Sequence, residues 1–305
     1  MKRLSSLLIV ITCAAAAVPA PSLAWGNFGH TVVGEVAWNL LNDKARAAVI
    51  ALLNQSHDTL TAPDFPHRAT WADAQRNATH GATAAWHFVN TPYEPTRTNE
   101  ADIDQAAQSA CHRHSLPGLA AGADAPREEC IIAKIEEFER DLADPKAPAD
   151  ERVLALFYIE HLVGDISQPL HAISNYDAGG NCIHVSVGRK TTTLHAYWDD
   201  QAVLDGARGY NPIINGDLIT KSITKHDVDQ FYGGTPVQWA ADSYRVAVAH
   251  AYNLGTKDLP TCENENVRPI ELTEEYRRDA AMTAHDQLVK AGLRLAFLIN
   301  ETLGR

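Results

Sequence analysis

A histidine and an aspartate four residues apart, followed by a second histidine, form the most chemically suggestive stretch of the chain, HLVGDISQPLH. On a helix, residues four apart project from one face, so His161 and Asp165 are predicted to lie side by side. Pro169 interrupts the helical hydrogen-bond ladder and turns His171 back toward the same place. This spacing favours a cluster of metal ligands.

A second pair with the same spacing follows in HAYWD, where His195 and Asp199 are again four residues apart. The two pairs and His171 supply nitrogen and carboxylate ligands without thiolates. Such a set suits a zinc site of the catalytic kind, which keeps one position open for water. The alternative for either pair alone is a surface ion pair.

The residues around His161 and Asp165 argue against a surface ion pair. Apolar residues such as Leu156, Phe157 and Leu162 flank it. We therefore expect His161 and Asp165 at the edge of a hydrophobic core, where charged groups need a partner or a metal.

Three further candidate ligands lie upstream, and each is a weak signal by itself. Asp73 occurs in TWADAQR, His87 in AWHFVN, and His30 follows Gly29 in WGNFGH. An aspartate on a helix is usually solvated, and a histidine between aromatic residues usually belongs to the core.

Helical periodicity dominates the elements that would position these residues. Apolar residues recur at three-to-four spacing in 31–53, 131–143, 151–166, 237–254 and 281–303. CIHVSV, a Gly188-Arg189-Lys190 turn and TTTL predict a small β-hairpin, whereas 117–127 and 209–216 are predicted surface loops. With no internal repeat, the sequence predicts a mainly α protein, a single helical domain with a small hairpin.

The first 24 residues have the composition of a secretory signal. Lys2 and Arg3 precede an apolar run, and small residues precede Trp25. The run is too short to favour a membrane span. We therefore expect a signal peptide at 1–24, a mature domain at 25–305, and a secreted or periplasmic protein.

Composition limits the chemistry further. The formal net charge is −12, and loss of Lys2 and Arg3 makes the mature chain more acidic, the wrong sign for a general polyanion-binding surface. Four cysteines remain after the signal, which favours two disulfides in an exported chain without choosing among three pairings.

Taken together, these pieces resemble the zinc-dependent single-strand-specific nucleases of fungi and plants, the type I family of the nuclease S-one and P-one type. The resemblance extends from Trp25 to about Asp199. It is carried, in the family's order, by WGNFGH, WAD, HFVN, HLVGDISQPLH, GGNCIHV and LHAYWD. It implies the helical fold shared with trinuclear zinc phospholipase C.

The resemblance also implies nine ligands for three zinc ions. One ion would take Asp73, His87, His161 and Asp165, a second Trp25 and His30 while sharing Asp165, and a third His171, His195 and Asp199. Trp25 would bind through the free α-amino group and carbonyl oxygen that signal cleavage creates; a deprotonated amine can bind a cation, whereas an amide nitrogen cannot. The alternative is that Trp25 only packs in the core.

The implied activity is hydrolysis of phosphodiester bonds in single-stranded DNA and RNA to 5′-phosphate products, with a 3′-nucleotidase activity on nucleotides. Asp73 and Asp165 would be the catalytic carboxylates, since activated water attacks phosphorus and no side-chain nucleophile is required. Phe88 would stack a base, Asn90 would contact the base edge and Asn181 would lie near the metals. For Phe88, core packing is the alternative. A monomer without stable membrane association is expected.

The sequence differs from the family pattern at two places, and two alternative functions remain. Many family members have histidine where Ser167 stands, and the residues after Asn90 do not clearly supply the lysine found near the base in some members. A zinc phospholipase C, which shares the fold, is the nearest alternative. A non-catalytic zinc-binding protein is a more distant one, because such proteins favour His-rich tracts.

Overall fold

The computed structural model describes residues 25–112, 129–256 and 258–305. The predicted signal segment 1–24 and the predicted loop at 117–127 lie outside the described residues.

Helices make up most of the described chain, which confirms the mainly α prediction. In chain order they are α1 (Asn27–Leu40), α2 (Asp43–Leu53), α3 (Phe65–Arg68), α4 (Trp71–Ala78), α5 (Glu100–His112), α6 (Ile131–Ala143), α7 (Ala149–Asp165), α8 (Leu194–Ala196), α9 (Ala202–Gly206), α10 (Pro212–Ser222), α11 (Lys225–Phe231), α12 (Pro236–Val246) and α13 (Glu274–Leu303). Short 3-10 helices cover Ala84–His87 and Pro169–His171, and π-helical turns cover Tyr197–Gln201 and Ala247–Ala251.

Two helix boundaries differ from the predictions. The periodic stretch 31–53 forms two helices, because the chain is extended at Leu41 and Asn42, and the Asn42 side chain caps α2 by accepting from the Ala45 amide. The stretch 209–216, predicted as a loop, contains the start of α10. There Asn211 caps the helix and Pro212 occupies its first turn, so residues taken as loop signals begin a helix instead.

The predicted hairpin is present and gains a third strand. Strand β1 (His184–Val187) pairs antiparallel with β2 (Lys190–Thr193), and β3 (Ile270–Glu271) adds in parallel to the other edge of β1, with Val185 opposite Ile270. The third strand is two residues long, too short for a period-two pattern to indicate it.

Helix α7 lies at the centre of the fold. Every residue from Ala155 to Asp165 is buried, so the helix is covered on all sides over its last three turns. Helix α6 packs along it through the stacked rings of Phe138 and Tyr158, 4.5 Å apart, and α13 also contacts it. His161 and Asp165 are therefore fully buried in the core rather than at its edge, and the surface-ion-pair alternative is wrong.

Two disulfides link the cysteines, in one of the three pairings that the sequence allowed. Cys111 is bonded to Cys130, and Cys182 to Cys262. The second bond joins the start of the hairpin region to a segment 80 residues away. Within the described part of the chain, no helix has both the length and the apolar character needed to cross a membrane.

Candidate metal centre

A first group of buried donors, His30, His161 and Asp165, forms where α1 meets α7. The rings of His30 and His161 stack with centroids 3.9 Å apart. The Asp165 carboxylate lies beside both, with Oδ1 3.2 Å from His30 Nε2 and Oδ2 3.0 Å from His161 Nε2. Gly164 permits this approach, because a Cβ at that position would be 2.9 Å from His30 Nδ1.

A second group, Asp73, His87 and His161, adjoins the first and brings in α4 and the 3-10 helix that ends at His87. His87 Nδ1 lies 2.9 Å from Asp165 Oδ2 and 3.0 Å from His161 Nε2. Asp73 Oδ1 is 3.7 Å from His161 Nε2 and 3.8 Å from His87 Nδ1. His161 belongs to both groups, and Asp165 contacts all three histidines.

A third group contains His171, His195 and Asp199. The Nε2 atoms of His171 and His195 are 3.2 Å apart, and His195 Nε2 is 3.5 Å from Asp199 Oδ2. His171 ends the 3-10 helix that begins at Pro169, as the interrupted ladder predicted. His195 is held on α8 and Asp199 on the π-helical turn that continues it.

Backbone carbonyl groups fix the tautomers of three of these histidines. His161 Nδ1 donates to Ala69 O at 2.8 Å, His171 Nδ1 to His87 O at 2.7 Å, and His195 Nδ1 to Gly179 O at 2.6 Å. Each Nε2 is then left as the basic nitrogen, and it faces the other members of its group. Histidine ligands of metals are oriented by the same kind of hydrogen bond.

Burial keeps most of the imidazoles in the neutral form that binds metals. It lowers the pKa of His171 to about 3 and that of His195 to about 4, and it lowers the pKa of His30 and His87. Burial also acts to lower the pKa of His161, but the charges of Asp165 and Asp73 outweigh it and raise that pKa.

The central carboxylate is held in its charged form. Burial alone would raise the pKa of Asp165, but the charge of His161 and hydrogen bonds to His161, His30 and His87 bring it well below its usual range. An ionised carboxylate among imidazoles offers the deprotonated oxygen that binding of a divalent cation needs.

Several buried polar atoms in the first two groups make no hydrogen bond to any described residue. They include Oδ2 of Asp73, Nδ1 of His30 and Nε2 of His87. Burying such atoms without partners is costly. A cation bound among them would satisfy those that face it, and the donor set of nitrogen and carboxylate oxygen fits zinc.

Trp25 lies beside the first group with its side chain fully buried. A Cβ at Gly164, already close to His30, would be 3.9 Å from Cδ1 of the indole. The next residue, Gly26, donates its amide to Asp199 O at 2.9 Å, so the start of the described chain also touches the segment of the third group.

The predicted substrate residues lie on segments joined directly to these groups. Phe88 follows His87, is half-buried, and is thus not a full member of the core; Asn90 is exposed. Their segment runs alongside the residues after His171: the Val89 amide donates to His171 O, and Pro92 pairs with Ser174 in a parallel bridge. Asn181 donates its side-chain amide to Ala178 O at 2.9 Å, in the loop that carries Gly179.

Two features of this site were not predicted from the sequence. Arg76 is buried with Nη2 3.1 Å from Asp73 Oδ1, and the three-residue spacing in WADAQR could have indicated this pair. Gly179 holds His195 through its carbonyl group and has a φ of +62°; a Cβ there would be 2.5 Å from Leu170 O, so glycine is required. No local pattern reveals that contact.

Ser167, two residues after Asp165, is completely buried. Its hydroxyl donates to Val163 O at 3.1 Å and accepts from Arg294 Nη1 at 3.4 Å. The hydroxyl is thus bonded to its own helix and to α13.

Comparisons with known proteins give a consistent result. The family model described as S1/P1 Nuclease matches residues 25–304. Nuclease S1 of Aspergillus oryzae is 25% identical over 305 residues, which cover 95% of each chain. Endonuclease 2 of Arabidopsis thaliana is 26% identical and covers 93% of both chains, and Nuclease P1 of Penicillium citrinum is 26% identical and covers 92% of this chain and 98% of its own. The range matched by the family model spans every member of the three groups.

Proposed function

The chain belongs to the S1/P1 nuclease family, and from that premise we propose that it is a zinc-dependent endonuclease acting on single-stranded DNA and RNA. It is a hydrolase of phosphodiester bonds, and the proposed products carry 5′-phosphates. The observation that carries the proposal is the convergence of three buried His/Asp groups in one interior site of a chain that matches this family over nearly its whole length.

We assign nine residues to three zinc ions. The first ion is held by Asp73, His87, His161 and Asp165, the second by Trp25, His30 and Asp165, and the third by His171, His195 and Asp199. The contacts of Asp165 with His30, His87 and His161 support its place between two ions. The burial of Trp25 beside His30 supports the use of its terminal amine after residues 1–24 are removed.

When bound, the zinc ions supply a water that is nucleophilic near neutral pH and positive charge for the phosphodiester. Asp73 and Asp165 hold that charge in place, and their burial excludes bulk water from it. Arg76, paired with Asp73, adds a fixed cation beside the second group. Local positive charge of this kind can attract a phosphate to a protein whose net charge is −12.

Preference for single strands follows from the residues next to the ligands. Phe88 stacks a base and Asn90 contacts its edge, while Asn181 lies on the loop beside the third group. A base can stack on a side chain only when it is free of its duplex, and stacking contributes roughly 1–3 kcal/mol with little preference among bases. A 3′-nucleotidase activity would use the same site on a single nucleotide.

The two disulfides favour an oxidising compartment, so we propose that the mature protein is secreted or periplasmic. We further propose that it acts as a monomer. The family match favours a nuclease over the phospholipase C alternative.

The decisive experiment is mass spectrometry of a short single-stranded oligonucleotide after incubation with the mature protein. We expect fragments with 5′-phosphate ends, their loss when a strong chelator is added, and their return with excess zinc. The same strand annealed to its complement serves as the matched control and should be cut more slowly. An uncut oligonucleotide with zinc bound would contradict the proposal and direct the assay to phospholipids.

A further inference from the structure

Gln168 lies between Asp165 and His171 in the chain and is completely buried. Its Nε2 donates a 2.6 Å hydrogen bond to Asp199 Oδ1, and its Oε1 accepts a 2.5 Å hydrogen bond from the Leu170 amide. We propose that Gln168 is a positioning residue that holds Asp199 and the turn bearing His171 in the geometry of the third group.

The orientation of this side-chain amide is determined by its partners. A backbone N–H can only donate, so the oxygen of the Gln168 amide must face Leu170. The NH2 group is then directed to Asp199, whose carboxylate can only accept when ionised. Both ends of the amide are satisfied, and neither can be exchanged for the other.

This contact also distinguishes the two oxygens of Asp199. Oδ1 accepts from Gln168, whereas Oδ2 is the oxygen that lies 3.5 Å from His195 Nε2. The amide therefore sets the rotation of the carboxylate and presents Oδ2 toward the histidines. Hydrogen bonds that orient metal ligands in this way typically contribute 10- to 100-fold in metal affinity.

The main chain of Gln168 connects the same turn to the first group. Its amide donates to Asp165 O at 2.9 Å, and its carbonyl accepts from the His171 amide at 3.0 Å. One residue thus contacts the segments of Asp165, His171 and Asp199. Its main-chain bonds do not involve the side chain, so the role of the side-chain amide can be tested separately.

The informative substitution is Gln168→Glu. Glutamate has the same shape and retains an oxygen that accepts from Leu170, so the start of the 3-10 helix keeps its cap. The other oxygen would face the Asp199 carboxylate, and an attractive contact would become repulsive. The inference rests on the proposed zinc-binding function, in which the third group holds one of three ions.

The experiment is a competition titration of the zinc-loaded mature protein with a chromophoric chelator, together with zinc-to-protein ratios by elemental analysis. For Q168E we expect one of the three ions to bind about 10- to 100-fold more weakly, with the other two unchanged. Gln287→Glu is the matched control, because Gln287 is also buried and its amide makes no hydrogen bond within the described chain. Q287E should lower Tm and leave all three affinities unchanged.

Equal weakening of all three ions in Q168E, or a lower Tm with three unchanged affinities, would overturn the inference. If Q168E does not fold, Gln168→Asn replaces it, since the shorter amide cannot span Leu170 and Asp199 and the same selective weakening is expected. Cleavage is scored separately: a wild-type protein that binds three ions without cutting oligonucleotides refutes the nuclease proposal alone. A wild type that cuts oligonucleotides, together with a folded Gln168 variant that binds all three ions normally, refutes the Gln168 inference alone.

Discussion

Replacing Asp165 by asparagine tests the central element of the proposed site. The substitution preserves shape and removes one negative charge from a position that lies 3.2 Å from His30, 3.0 Å from His161 and 2.9 Å from His87. An amide presents a single oxygen and no net charge, so it cannot serve two cations as a carboxylate can. We expect D165N to lose at least one zinc ion per chain.

The effect on activity can be estimated from the charge that is lost. Metal ions stabilise the charge of a transition state by several kcal/mol, and each factor of ten in rate corresponds to about 1.4 kcal/mol. A loss of about 4 kcal/mol corresponds to roughly a thousandfold in kcat/KM. Because Asp165 contacts the histidines of both the first and the second group, D165N should approach that loss rather than a few-fold effect.

The assay is kcat/KM on a single-stranded oligonucleotide together with zinc content by elemental analysis. Asp242→Asn is the control, since the Asp242 carboxylate is also largely buried and binds Lys290 at 2.9 Å and Arg294 at 2.8 Å, outside the three groups. D242N should lower Tm and keep its zinc and its activity. A D165N protein with full zinc content and activity within tenfold of wild type would refute the assignment of Asp165.

Three further predictions concern the terminus, the pH dependence and the base site. A mature protein retaining one residue before Trp25 should lose zinc and most activity with an unchanged circular dichroism spectrum; full activity would contradict the terminal-amine ligand. In zinc-free protein, burial holds the pKa of His171 at about 3 and that of His195 at about 4, below the ordinary histidine value of about 6.5. Between these values the folded state binds fewer protons than the unfolded state. The free energy of unfolding should therefore fall by up to about 1.4 kcal/mol per pH unit for each histidine as the pH drops from about 6.5 toward 4. The measurement is urea unfolding, and equal free energies of unfolding at pH 7 and pH 5 would exclude this effect. Phe88→Ala should reduce kcat/KM on single strands about 5- to 150-fold, which corresponds to the loss of roughly 1–3 kcal/mol of stacking. Hydrolysis of a phosphodiester that has no nucleobase should be unaffected. Equal losses on both substrates would indicate that Phe88 only packs.

Much of the site could be predicted because its key spacings are local. His161 and Asp165 share one helix, and helix geometry alone places residues four apart on one face. The interruption at Pro169 follows from a missing amide donor and from ring sterics, which act within a single turn. The hairpin around Gly188 is likewise determined by a few adjacent residues.

Other features depend on contacts between distant segments, and no local pattern encodes them. His30, Asp73 and His87 each gave a weak signal because they meet only when α1, α4 and the 3-10 helix ending at His87 pack around α7. Their assignment as ligands is a proposal that rests on a family resemblance rather than on periodicity.

The sequence by itself therefore determined the mainly helical character, the i to i+4 His/Asp pairs and the even number of cysteines after the signal segment, since each depends on chemistry within a few residues or on simple counting. Tertiary structure decided the burial of His161 and Asp165, the pairing of Cys182 with Cys262, and the hydrogen bond from Gln168 to Asp199 across 31 positions of chain. The physical reason is that backbone hydrogen bonding and side-chain periodicity are local, whereas burial and side-chain contacts between elements depend on how the whole chain packs around α7.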